Sequence, residues 1–150
     1  MKKFQFELET VLSYKRQVLD ALQVEHAAAL LELRKQQELI ETLWASYQAY
    51  GEEYRIRCAE GLDIRDVLSY QAGLRARERE IQQETDYLAE LRKKEEAKRS
   101  EVVTAKQDTS SIEKLREKKL ESYHAAVSKR EEQFIEEFVS SRRCAARAAM

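Results

Sequence analysis

The chain has 150 residues, 37% of them charged, with no proline and only three glycines, and its 27 basic side chains nearly balance 28 acidic ones. That balance excludes the one-sided basic field that nucleic acid or an anionic membrane selects. No apolar run approaches the ~20 residues of a transmembrane span, and the residues after Met1-Lys2-Lys3 do not form the apolar core of a signal peptide, so a cytoplasmic protein is expected.

The first predicted element is a helix over about 4–57. Positions spaced alternately four and three apart read Leu8, Leu12, Lys15, Leu19, Leu22, His26, Ala29, Leu33, Gln36, Ile40, Leu43, Tyr47, Tyr50, Tyr54 and Arg57. Most are apolar or aromatic, which is a heptad seam of about seven repeats. Val11, Val18, Leu30, Leu31 and Leu39 widen it. His26 falls on the seam, where a buried polar residue fixes register. Trp44, Tyr47, Tyr50 and Tyr54 crowd one region, and each buried hydroxyl there needs a partner or water. The cluster therefore reads both as core and as interaction surface.

A turn is expected over about 58–63. Gly61 suits the left-handed residue that ends a helix. Asp63 suits the cap of the next helix, with Asp66 in its first turn. So short a connection between long helices favours an antiparallel pair.

The second helix is expected over about 64–143. Val67, Leu68, Leu74, Ile81, Leu88 and Leu91 form its first stripe, a polar stretch covers 92–110, and Ile112, Leu115, Leu120, Tyr123, Val127, Phe134 and Phe138 form the second. The spacing slips between Ile112 and Leu120, which is the signature of a stutter. At ~1.5 Å per residue the helices would be ~80 and ~120 Å long, so about Lys118 to Arg143 would overhang. Leu120, Tyr123, Val127, Phe134 and Phe138 lie in that overhang, and an apolar stripe without an internal partner marks a protein-binding surface. The fold class expected is thus all-α: a single long two-helix antiparallel coiled-coil hairpin with an overhanging C-terminal helix.

Catalytic and ligand-binding signatures are missing from this pattern. There is no Gly-rich phosphate loop, no H-E-x-x-H and no G-x-S-x-G. Cys58, Cys144, His26 and His124 are too dispersed along long helices to converge on zinc. Cys58 at the tip and Cys144 at the far end would lie on the order of 100 Å apart, beyond disulfide reach. No catalytic residue, metal or cofactor is expected, and the reading is a non-enzymatic protein that binds other proteins.

Several segments resemble the FliJ family of flagellar export proteins. They are the Phe4-x-Phe6-x-Leu8-x-x-Val11-Leu12 opening, the series Tyr47, Tyr50, Tyr54 followed by Gly61, the segment Ser69-Tyr70-Gln71, and Arg130-x-Glu132-Gln133. Glu136-Glu137 stands where Asp-Glu is commoner in the family, and Gly73 and Arg77 stand where bulky apolar residues are common. The resemblance implies a small cytoplasmic component of the flagellar type III export machinery, peripheral to the inner face of the membrane at the flagellar base. It further implies a stalk that associates with the hexameric export ATPase and contacts the cytoplasmic domain of the membrane export gate; some members also bind export chaperones. On that footing Leu120, Tyr123, Val127, Phe134 and Phe138 would face the ATPase, and Leu43, Tyr47, Tyr50, Tyr54, Gln71 and Leu74 the gate. The rival readings are the stalk of a non-flagellar type III secretion system and a generic structural coiled coil that dimerises through its seam.

Overall fold

Alternating four- and three-residue spacing produces two helices and a hairpin. The computed structural model describes residues 2–150. Helix α1 spans Glu9–Glu60 and helix α2 spans Ile64–Ala148, with no strand among the described residues. Gly61 takes φ +94°, the left-handed conformation that its position predicts. Asp63 opens α2: its carbonyl accepts from the Val67 amide at 3.1 Å and its carboxylate from the Ile64 amide at 2.8 Å. Asp66 lies in the first turn of α2 and Arg147 in its last, both favourable to the helix dipole.

Both ends depart from the expected bounds. Residues 2–6 are not helical, although the first helix was expected from about Phe4. Phe4 and Phe6 are two apart, so a helix would turn them to opposite sides, whereas an extended chain places both on one side. Phe6 is buried and Phe4 packs against Tyr123 of α2. At the other end α2 continues five residues past Arg143, to Ala148. Ala145, Ala146 and Ala148 are strong helix formers, and nothing in that stretch breaks the helix.

The chain divides into two compact units, Asp20–Thr104 and Met1–Leu19 with Ala105–Met150. In Asp20–Thr104 the α1 seam positions Leu22, His26, Ala29, Leu33, Gln36, Ile40, Leu43, Tyr47, Tyr50 and Tyr54 are all buried or half-buried. The matching positions on α2 are Val67, Tyr70, Leu74, Arg77, Ile81, Glu84, Leu88, Leu91, Glu95, Lys98 and Val102. Their spacing alternates three and four without interruption, so the seam runs unbroken through the stretch that reads as polar. Glu95 is only 3% exposed and its Oε1 lies 2.9 Å from His26 Nε2; Arg99 holds both its carboxylate oxygens at 2.7 and 2.8 Å. Gln36, also buried, donates to the Glu84 carbonyl at 3.0 Å and to its carboxylate. Among the described residues no buried side-chain polar atom lacks a partner. These polar layers fix register, because a slip of either helix would leave a buried charge unpaired. Exposed pairs such as Glu25–Lys98 at 2.9 Å and Glu32–Lys94 at 3.5 Å repeat the same antiparallel register, each contributing little.

Glu95 carries a pH signature. Its hydrogen bond to His26, and then that to Arg99, hold its carboxyl below the ordinary value of 4.5 despite burial. A depressed folded pKa contributes stability that is complete above the unfolded value and lost as pH falls through the folded one. Thermal melts between pH 7 and pH 3 should show the chain losing stability below about pH 4.5 more steeply than a Glu95→Gln variant. Parallel curves would remove Glu95 from the acid response.

In the second unit, Ala105, Thr109, Ile112, Arg116, Leu120, Tyr123 and Val127 form the covered face of α2. The two consecutive steps of four, Ile112 to Arg116 to Leu120, are the stutter, which locally unwinds the coil. Arg16 pairs with Glu113 at 3.2 Å and Glu9 with Arg116 at 3.0 Å. Leu12, 0% exposed, is the fully buried large side chain here. Leu12→Ala should destabilise the chain by about 3 kcal/mol through lost burial plus the cavity left behind. Urea titration would register this as a lower midpoint at unchanged slope; an unmoved midpoint would show that the site collapses without loss.

Candidate interaction surfaces

The first surface lies in Asp20–Thr104, beside the Gly61 turn, and begins with seam spacing. Leu43, Tyr47, Tyr50 and Tyr54 share one face of α1 and are half-buried, as is Leu74 on α2; Gln71 is exposed. The tyrosines find partners in α2. Tyr54 stacks on Tyr70 at 5.2 Å between ring centroids, and Tyr50 lies against the same ring at 5.2 Å. The Tyr70 hydroxyl donates to Glu53 at 3.0 Å and accepts from Arg57 at 3.3 Å. Tyr47 donates to Glu78 at 2.7 Å, a bond that pushes its own pKa upward, and meets Trp44 edge-on. The Cys58 thiol raises the pKa of the Tyr54 hydroxyl, with burial adding to it and Gln71 acting in the opposite sense.

Gly73 makes the arrangement possible. A Cβ there would lie 2.3 Å from the Tyr50 hydroxyl and 2.7 Å from its Cζ, so the ring occupies the space that a side chain would fill. Arg77 closes over the ring, its guanidinium 3.8 Å from the centroid, while donating to the Gly73 carbonyl at 3.3 Å. Gly73 and Arg77 thus build a seat for Tyr50. Sequence reasoning assigned Tyr50 to this surface but missed Tyr70, Gly73 and Arg77 as its supports. The signal was available in the three–four spacing Tyr70, Leu74, Arg77, which continues the α2 seam. Outside the tyrosine block Trp44, Ile56, Ile64 and Leu68 remain exposed.

The second surface lies in the other unit. The overhang expected from about Lys118 begins later. Tyr123 packs on Phe4 with ring centroids 5.6 Å apart and donates to the Lys2 carbonyl at 2.8 Å, and Arg116 stands over the Phe4 ring at 5.9 Å. Leu120, Tyr123 and Val127 are consequently half-buried. An extended segment advances ~3.3 Å per residue against 1.5 Å in a helix, so residues 2–6 reach farther along α2 than helical arithmetic allows. From Ser128 onward every residue is exposed. Of the five predicted positions, Phe134 and Phe138 therefore stand open, and Ile135 and Val139, absent from the sequence reading, stand open beside them. Seam spacing alone selects Phe134 and Phe138; residues one position on from each seam site widen the stripe. The Arg142 guanidinium lies over Phe138, 5.3 Å from the ring centroid.

The concavities along both surfaces are open grooves on helix faces rather than enclosed sites. Among the described residues no cluster of His, Cys, Asp and Glu could hold a metal ion, and no helix is long and apolar enough to cross a membrane. The geometry offers apolar and aromatic contact area, suited to gripping other polypeptides. A family model described as Flagellar FliJ protein matches residues 4–148. No curated protein and no solved structure matches the chain.

Proposed function

The chain belongs to the FliJ family and is thereby a component of the flagellar export apparatus, and from that premise we propose that it is a non-enzymatic coiled-coil stalk linking the export ATPase hexamer to the cytoplasmic domain of the export gate. Export chaperones are further partners on this reading, no cofactor is needed, and the chain sits in the cytoplasm against the inner face of the membrane at the flagellar base. The open stripe of Phe134, Ile135, Phe138 and Val139 carries the proposal. It is a contiguous apolar face on a helix whose seam positions, from Val67 to Val127, are buried or half-buried within the chain. Such a face is retained for a partner. Leu120, Tyr123 and Val127 join it once residues 2–6 lift away, so the ATPase-facing set is Phe134 and Phe138 first and those three second. The Tyr47, Tyr50 and Tyr54 block with Leu43, Gln71 and Leu74 is the gate-facing surface, rich in the aromatic residues that dominate binding energy.

A generic dimer through the α1 seam is disfavoured, because Leu22 to Tyr54 already face inward in their unit. The stalk of a non-flagellar secretion system shares the mechanism and differs in the machine served. Deleting the gene should leave cells non-motile and unable to export flagellar subunits, with both restored by the intact gene and neither by one carrying Phe134→Asp and Phe138→Asp. A motile deletion strain would contradict the flagellar assignment.

A further inference from the structure

The open end of α2 is patterned symmetrically about the point between Glu136 and Glu137. Phe134 mirrors Val139, Ile135 mirrors Phe138, and Glu131 mirrors Arg142, with opposite charge. Glu131 and Arg142 are eleven residues apart, about three helical turns, so they share the face of the apolar residues between them. Two shallow grooves follow the same symmetry. One is lined by Val127, Arg130, Glu131, Phe134 and Ile135, and the other by Phe138, Val139, Arg142, Arg143, Ala145 and Ala146. Reflection about that point carries each residue of the first onto one of the second.

We propose that this segment, about Val127 to Ala146, pairs antiparallel with a second copy of itself. Each copy then sets its first groove against its partner's second. Phe134 (69% exposed alone) packs on Val139 of the other copy, Ile135 (59%) on Phe138, and Glu131 meets Arg142 at both ends of the contact. The small Ala145 and Ala146 admit the bulkier Val127 side of the opposing groove. Charge complementarity selects the occupant: a partner helix needs a cation opposite Glu131, an anion opposite Arg142 and four apolar residues between, and this chain supplies that pattern reversed. Arg130 and Arg143 fall opposite each other at the rim and oppose the pairing. The contact covers ~20 residues, ~30 Å of helix, at or below the about 1,200 Å² low end of specific interfaces. The dimer is accordingly weak and reversible. It uses the same stripe as the proposed ATPase contact, so the two occupants exclude each other. The inference does not rest on the flagellar reading, because its test needs only the purified chain.

Sedimentation equilibrium of the full chain should show a monomer–dimer equilibrium. Glu131→Arg and Arg142→Glu should each weaken it at least about tenfold, with helix content unchanged by circular dichroism. The two single variants mixed in equal amounts, and the double variant alone, should both recover the original affinity, since each restores opposite charges across the contact. A chain monomeric up to several hundred μM, a dimer insensitive to both substitutions, or a mixture without recovery would each overturn the proposal.

Discussion

The Phe134→Asp, Phe138→Asp double variant is expected to lose at least about 100-fold in affinity for the flagellar export ATPase while keeping its helix content and melting temperature. Burying each phenylalanine side chain contributes about 1.5–3 kcal/mol, so losing two removes about 3–6 kcal/mol. At about 1.4 kcal/mol per factor of ten, that is a loss of roughly 100- to 10,000-fold. Each carboxylate set against an apolar pocket adds a desolvation penalty in the same direction. Stability is spared because both rings are already largely exposed in the free chain, 69% and 53%, and surface changes of this kind stay within about 0.5 kcal/mol. Binding measured at nanomolar concentration separates this effect from self-association of the same stripe. Intact affinity would remove the pair from the ATPase contact and shift attention to Leu120, Tyr123 and Val127 beneath residues 2–6.

Tyr50→Ala should act on the other partner. Its ring rests in the gap above Gly73, beneath Arg77 and beside Tyr70. Truncation removes an aromatic contact of about 0.5–1.5 kcal/mol and a cation–π contact of about 0.5–1 kcal/mol. It also frees Arg77 and Tyr70 to move. Affinity for the gate's cytoplasmic domain should fall at least about tenfold, as for an interface aromatic, with the ATPase affinity unchanged and a fall of a few degrees in melting temperature. Tyr50→Phe keeps the ring and should bind the gate like the unmodified chain. Equal gate affinity in all three would remove Tyr50 from that contact.

The hairpin was legible in the sequence because its signals are local and repeated: the heptad spacing before Tyr54, the left-handed Gly61, the Asp63 cap and the stutter after Ile112. Three features were not legible, for physical reasons. The seam between Leu91 and Val102 is continued by Glu95 and Lys98, and a hydrophobicity pattern cannot credit a carboxylate that becomes buried only through His26 and Arg99. The extent of the overhang depended on residues 2–6 being extended, which the two-residue spacing of Phe4 and Phe6 encodes but helical arithmetic ignores. The seat of Tyr50 needed Gly73, whose meaning lies in a contact with a residue 23 positions earlier. The same gaps mark the candidate surfaces: heptad spacing picks out the tyrosines but not their supports, and Phe134 and Phe138 but not Ile135 and Val139.

The stalk reading turns most directly on stoichiometry. The purified chain at nanomolar concentration would be titrated into the assembled export ATPase hexamer and the mass of the complex measured by light scattering. A central stalk predicts one chain per hexamer. No complex, or one chain bound to each of the six ATPase subunits, would contradict it.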